Sequence, residues 1–471
     1  LGDTVQLGMT TYAILGYDET TVSLSDPKFP LLSEDMPRDV FEQRLRESPA
    51  NDRLIVEAPE AEPQPGPVAE TVEVIPAEEN HLPYDVVIQT IRAEEHEPVK
   101  PAEKINFRIT NDALGHGGPK TKFHMNIDAI QTLKAIESEQ RLATADEQEV
   151  LSRYVGWGGC ADAFDEAKEN WRSEYAELKD LLTEEEYESA RASVLNAHYT
   201  SPAVIKAIYK AIENMGFRTG NILEPSCGIG NFFGLLPESM AGSKLYGIEL
   251  DSITGHIAKQ LYQNANIAIQ GYEETALPDS FFDVAIGNVP FGDYGVADKR
   301  YDKNHFLIHD YFIAKTLDKV RPGGIIAFVT SSGTMDKKNP SVRKYIAQRA
   351  DLLGAVRLPN NVFLANAGTG VVADILFLQK RDRPMEVEPD WVHLGKNDSG
   401  YTINQYFVDN PGMILGELSE ESTQYGKQAA TVKPIAGAEL PEQLSDAITN
   451  IHAEITEPEQ LEEAEESIGE S

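Results

Sequence analysis

At 471 residues the chain has room for roughly two to four domains and a sizeable core. Its 25% charged and 41% hydrophobic residues are ordinary for globular protein, and a net charge of −36 excludes indiscriminate nucleic-acid binding while leaving room for a local basic groove. Two cysteines, Cys160 and Cys227, exclude a disulfide framework or a zinc cluster. No apolar run approaches the ~18 residues that span a membrane, and no leader pattern is visible. These features, with a start at Leu1 and an acidic end, lead us to expect a cytoplasmic protein that is a piece of something larger.

In chain order, residues 1–55 read as a small α/β accessory unit. Thr4–Leu7, Tyr12–Leu15 and Val22–Leu24 alternate like short strands, and Asp39–Arg46 is helical in pattern. Residues 56–103 have the Glu/Pro/Ala composition of an acidic linker, with a short ordered piece expected near Tyr84–Ile91. Residues 104–197 form a helical extension. Ile127, Ile130, Leu133 and Ile136 recur at helical spacing, Thr144 and Glu147 form a capping-box pattern, glycines break the helix around Trp157, and Thr183–Leu195 is helical again.

From 198 to 382 the pattern becomes strand–helix alternation. Strands are predicted at Asn221–Leu223, Lys244–Ile248, Ile267–Ile269, Asp283–Ile286, Gly324–Val329, Leu352–Leu358 and Val372–Leu378, and helices at Pro202–Asn214, Ile253–Asn264, His309–Lys319 and Ser341–Arg349. Such alternation predicts an α/β fold: a doubly wound, mostly parallel, seven-stranded sheet with helices on both faces. Residues 383–430 read as a small β-rich extension, and 431–471 as an acidic disordered tail without a core pattern.

Three stretches carry chemistry. In Glu224-Pro225-Ser226-Cys227-Gly228-Ile229-Gly230-Asn231, two glycines after an apolar strand would let backbone approach a ligand. The bland alternative is a plain strand–helix turn. The spacing is not the dinucleotide G-x-G-x-x-G, which speaks against NAD. In Gly247-Ile248-Glu249-Leu250-Asp251, an acid at the end of the next strand suits ribose hydroxyls. Glu249 is the first choice and Asp251 the second, with helix capping as the alternative role.

The third stretch is Asn288-Val289-Pro290-Phe291, closing a buried strand. An aromatic amine is a poor nucleophile because its lone pair is delocalised into the ring. Two acceptors, the Asn288 side-chain oxygen and the Val289 carbonyl, would hold the NH2 so that its lone pair aims at an electrophile. Pro290 would stiffen the turn, and Phe291 would stack on an extruded base. The alternative is an ordinary Asn turn.

Taken together, these motifs in this order resemble the N6-adenine DNA methyltransferases in which the cofactor motifs precede the catalytic loop. His198-Tyr199-Thr200-Ser201-Pro202 is similar to the upstream motif that packs on the methionine end of S-adenosylmethionine (SAM). Residues 224–231 resemble the main SAM motif, Glu249 the ribose acid, and Asn288–Phe291 the Asn-Pro-Pro-Phe loop. Leu114–Lys122 with Leu151–Gly159 resemble the large methylase–helicase proteins of bacterial mobile elements and phages.

The resemblance implies a Rossmann-like methyltransferase and SAM as cofactor. It implies a cofactor set of Tyr199, Thr200, Pro202, Glu224, Pro225, Gly228, Gly230, Asn231, Glu249, Asp251 and Glu273, and a catalytic set of Asn288, Val289, Pro290 and Phe291. DNA with a flipped adenine is the implied substrate, and a downstream helicase region in the full-length protein a possible partner. Two positions depart from the pattern. Val289 stands where the family has Pro, and Tyr272 occupies the slot of an acid beside the cofactor adenine, with Glu273 next to it.

Lys299, Arg300 and Lys303, after the loop, are the candidates for phosphate contact. Lys337, Lys338, Arg343 and Lys344 read as a surface helix. His305 and His309 have no accompanying ligand set, so no metal is expected, and Trp157 reads as a packing anchor. The expected activity is methyl transfer to N6 of adenine in DNA. The alternatives are a non-catalytic SAM- or DNA-binding module of a mobile-element or anti-restriction protein, or methylation of RNA guanine N2 or protein glutamine.

Overall fold

The computed structural model describes residues 4–7, 10–17, 21–26, 29–46, 104–113, 115–194, 200–363, 371–422 and 428–455. The expected linker 56–103, with Tyr84–Ile91, lies outside the described residues. The chain divides into a smaller unit, Leu1–Pro27 with Ser33–Glu103, and a larger one, Lys28–Leu32 with Lys104–Ser471.

The N-terminal elements are an antiparallel sheet, β1 (Thr4–Leu7), β2 (Thr10–Tyr17), β3 (Thr21–Asp26) and β4 (Phe29–Pro37), in that spatial order, followed by helix Arg38–Arg46. Val5, Val22, Leu24, Met36 and Phe41 form its core. The sequence reading does not anticipate β4, because Pro30 and Pro37 argue against a strand. It is the edge strand, where missing N–H groups are tolerated.

The larger unit is built on seven strands: β5 (Asn221–Glu224), β6 (Lys244–Glu249), β7 (Asn266–Ile269), β8 (Phe282–Asn288), β9 (Val320–Ser331), β10 (Ala350–Arg357) and β11 (Ala373–Lys380). Their spatial order is β10-β11-β9-β8-β5-β6-β7, with β11 antiparallel to both neighbours and β5 to β9 parallel. This is the expected doubly wound sheet. Near-continuous apolar runs explain the parallel centre: all of Ile325–Val329 is buried, as strands covered on both faces require. Chain order reverses between β5 and β8, so the crevice for a ligand lies beyond the carboxyl ends of these strands.

Helix Pro202–Asn214 starts with Pro at its first position and buries Val204, Ile205, Ile208 and Ile212 on one face. The capping box at Thr144–Glu147 is present, and a second one, Thr183–Glu186, opens helix Glu184–Ser193. The extension is joined closely to the sheet layer. Phe107 N–H donates to Leu261 O at 2.7 Å, Ile109 N–H to Gly234 O at 2.9 Å, and the Gln148 side-chain amide to Gln260 O at 2.8 Å. The buried Asn126 amide donates to Gly156 O at 2.6 Å and its oxygen accepts from Val155 N–H at 2.9 Å, fixing the glycine-rich loop. Trp157 within that loop is fully buried, edge-on to Phe164 at 5.3 Å.

One basic residue read as surface is not. Arg343 is fully buried and donates to the carbonyls of Val392 and Lys337, both at 2.7 Å. Lys337 is paired with Asp310 at 2.7 Å.

The stretch 383–430 supplies one small antiparallel pair, Leu394–Lys396 with Thr402–Asn404, and most of a second, Glu417–Ser422 with Gln428–Lys433, which runs past its expected end. The stretch read as a tail contains helix Leu440–Ile448, which packs on helix Pro202–Asn214 and buries Leu444, Ala447 and Ile448, with Ile451 buried just beyond it. Apolar residues at 440, 444, 447, 448 and 451 follow the helical period. The acidic residues between them obscured it. Ile455 N–H then donates to Met215 O at 3.0 Å. We predict that Leu444→Ala lowers the unfolding free energy by about 2–5 kcal/mol, the range for emptying a packed leucine site. Urea denaturation of the full chain measures this, and an unchanged midpoint would show the helix to be dispensable.

Candidate active site

Three adjacent parallel strands end side by side: β5 at Glu224, β6 at Glu249 and β8 at Asn288. Beyond them lies a cavity of about 330 Å³, at the small end of the range for ligand sites. Its wall includes Thr200, Glu224, Pro225, Gly228, Asn231, Glu249, Asp251, Glu273, Asn288, Val289 and Pro290, so residues from all three motifs meet in one space.

Glu224 is almost fully buried, and its Oε2 has no hydrogen-bond partner. Burial, and then the charge of Glu249, pushes its carboxyl well above the usual range. Glu249 accepts from Gly228 N–H and Asp251 N–H, each at 2.8 Å. Part of it faces the cavity, yet dense surrounding protein pushes its pKa up to about 7, against the pull of those backbone donors. Gly228 has φ +55, which favours glycine, and this left-handed turn aims its N–H at Glu249.

The Asn288 loop is set by β-sheet register. Asn288 pairs with Val329, and Val289 N–H donates to Val329 O at 3.1 Å. Gly287 has φ +145, and a Cβ there would lie 3.3 Å from Glu224 Cγ. Glycine at 287 therefore lets the Asn288 strand lie close to the buried acid.

Other expected residues are placed differently. Asp251 is the N-cap of helix Ser252–Leu261: its Oδ1 accepts from Thr254 N–H and its Oδ2 from the Ser189 hydroxyl, both at 2.8 Å. It touches the cavity, but its carboxylate is committed to capping. Gly230 and Pro202 do not line the cavity. Gly230, at φ +85, packs against Tyr262, and Pro202 opens its helix. Phe291 is half-buried against the hydrophobic core and does not line the cavity. Tyr199 lies outside the described residues. Arg300 is engaged by Asp279 at 2.9 Å and Asp318 at 2.8 Å and braces its own loop, whereas Lys299 and Lys303 are exposed. Among the described residues no group of three His, Cys, Asp or Glu could hold a metal, and no helix is long and apolar enough to cross a membrane.

Sequence reasoning missed several lining residues. Tyr154, Gly156, Ser189, Ala192 and Ser193 come from the helical extension. The glycine-rich stretch around Trp157 was the available signal for the first two. Tyr294, Val296, Ile308 and Phe312, with Tyr272, which the sequence had already singled out, supply an aromatic and aliphatic wall. Tyr272 is buried, bonded to the Thr316 hydroxyl at 3.0 Å and packed on Phe312 at 4.9 Å.

A seven-stranded sheet in this order, with its cavity at the switch point, is the Rossmann-like fold of SAM-dependent methyltransferases. Residues 183–392 match the family model for N-6 DNA Methylase.

The chain is 28% identical over 289 residues to "Defense against restriction protein B" of Escherichia phage P1, covering 60% of this chain and 11% of that protein. It is 26% identical over 177 residues to the Type II methyltransferase M.CvrRI of Paramecium bursaria Chlorella virus XZ-6E, covering 36% of this chain and 45% of that one. The chain thus spans about a tenth and under half of the length of these two relatives.

Similar solved structures include one described as a class I SAM-dependent methyltransferase from Listeria monocytogenes (17% identity, 57% of this chain and 90% of that one, TM-score 0.36). Another is described as a modification subunit of a type I restriction enzyme from Vibrio vulnificus YJ016 (17% identity, 59% and 66%, TM-score 0.35).

The raised pKa of Glu249 gives a signed prediction. Below about pH 7 its carboxyl is neutral, and above it is an ionised acceptor of the kind that would suit ribose hydroxyls. SAM affinity should therefore rise between pH 6 and pH 8 and then level off. In Glu249→Gln that rise should become shallower, the remainder belonging to Glu224, and binding should weaken about tenfold or more. Calorimetric titration with SAM across this range checks it, and an equally steep rise in the variant would remove Glu249 from the ribose role.

Proposed function

We propose that this chain transfers the methyl group of SAM to the exocyclic N6 amine of adenine in DNA. The observation that supports it most is that Glu224, Gly228 and Glu249 share one cavity with Asn288, Val289 and Pro290. The cofactor and amine-binding halves of the motif order are therefore contiguous.

The residues present fit SAM. Glu224 has a buried carboxylate oxygen with no hydrogen-bond partner, which suits the cationic amino acid end of that molecule. Glu249 would take the ribose hydroxyls, and the wall of Tyr272, Ile308 and Phe312 would take an aromatic ring. SAM supplies an electrophilic methyl group when bound. Asn288 Oδ1 and the Val289 carbonyl accept the two amine hydrogens, which localises the nitrogen lone pair and orients it. Val289 in place of Pro retains the carbonyl and loses only ring rigidity. The base must leave the duplex to reach this space. Lys299 and Lys303, exposed beyond the loop, would meet the phosphate backbone. No base need be supplied by the protein, because the ammonium formed on transfer is acidic and gives its proton to water.

We place this domain within a larger protein, as the short share of the phage relative spanned by the chain suggests. A helicase partner region belongs to that proposal. A second reading, a SAM- or DNA-binding module without turnover, draws on Val289 and on the name of the phage relative.

Labelled methyl transfer from SAM to mixed-sequence DNA tests the activity. The parent chain should yield N6-methyladenine, and Asn288→Ala should lower the rate by at least about 100-fold while still binding SAM. Label in guanine, in protein, or equally in the variant would contradict the assignment.

A further inference from the structure

The sequence reading gives base stacking to Phe291, but the folded chain holds that ring against the core, off the cavity. Three residues on, Tyr294 lines the same cavity and remains 45% exposed. Among the described residues it is the one aromatic that stands among the exposed large hydrophobics. The other aromatics on the cavity wall, Tyr154, Phe232, Tyr272 and Phe312, are buried in packing of their own.

Tyr294 is also held in place. Its carbonyl accepts from Ile308 N–H at 2.7 Å, which ties it to the start of helix Ile308–Lys319. Its ring lies over Gly292, where any Cβ would collide with it, so glycine at 292 is what lets the ring fold back toward the Asn288 loop.

We infer that Tyr294, rather than Phe291, provides the aromatic face on which the target base stacks. The inference rests on the adenine-methylation reading and specifies its substrate pocket. A planar base arriving from solvent meets an exposed ring at the cavity mouth, on the same loop as the Asn288 and Val289 acceptors. One aromatic–base stack is worth about a 10- to 100-fold effect on binding or rate.

The test compares Tyr294→Ala, Tyr294→Phe and Phe291→Leu with the parent chain. The readouts are kcat/KM for N6-methyladenine formation in unmethylated mixed-sequence DNA and SAM Kd by calorimetry. The expected result is a fall of about 10- to 100-fold in kcat/KM for Tyr294→Ala, with SAM Kd within about twofold of the parent. Tyr294→Phe should recover most of the loss, and Phe291→Leu should lose less than Tyr294→Ala. A parental rate in Tyr294→Ala, with the larger loss in Phe291→Leu, overturns the inference and leaves adenine methylation standing. Loss of SAM binding in Tyr294→Ala also overturns it, by assigning the ring to the cofactor. If the parent labels no DNA while binding SAM, the adenine reading falls and the inference with it.

Discussion

The site depends on two carboxylates held close together at the ends of neighbouring parallel strands. β5 and β6 pair in register, Glu224 opposite Gly247, so Glu224 and Glu249 emerge on the same edge of the sheet. Burial raises both acids, the charge of Glu249 adds to the rise at Glu224 and that of Asp251 to the rise at Glu249, and one Glu224 oxygen has no hydrogen-bond partner. Buried acids so arranged cost stability unless a partner compensates them. A ligand that carries positive charge beside a nucleoside would relieve both burdens at once, because the cation would compensate Glu224 while the hydroxyls would satisfy Glu249. The raised acids and the proposed fit of a sulfonium nucleoside thus have one cause.

The remaining architecture holds that edge in place. Gly287 lets β8 pass close to Glu224, and pairing with β9 then puts Asn288 at the cavity. On the opposite side, Asp251 caps helix Ser252–Leu261 and accepts from Ser189, so helix Glu184–Ser193 is tied to the segment that carries Glu249. The helical extension is therefore part of the site wall. Much of it, including Tyr154 and Gly156, lies ahead of the stretch 183–392 matched by the family model.

Much of this was legible in the sequence because strands buried on both faces are continuous apolar runs, and because glycines and acids at strand ends punctuate them. The seven main-sheet strands were read within a few residues. What was not legible depends on tertiary context. The edge strand β4 tolerates prolines, and the C-terminal helix hides its apolar face among acids. At the site, Asp251 could be cap or ligand from sequence alone, and its bonds to Thr254 and Ser189 favour the cap. The direction of the rings of Phe291 and Tyr294 is set by the backbone of the turn after Pro290, for which side-chain periodicity carries no information.

The most direct test of the account is a crystal structure of the chain with S-adenosylhomocysteine. Density is expected in this cavity, with the amino group at the Glu224 carboxylate, the ribose hydroxyls on Glu249 and the sulfur facing Asn288. Ligand bound elsewhere, or ribose held by groups other than Glu249 while Glu224 keeps an oxygen without a hydrogen-bond partner, would contradict it.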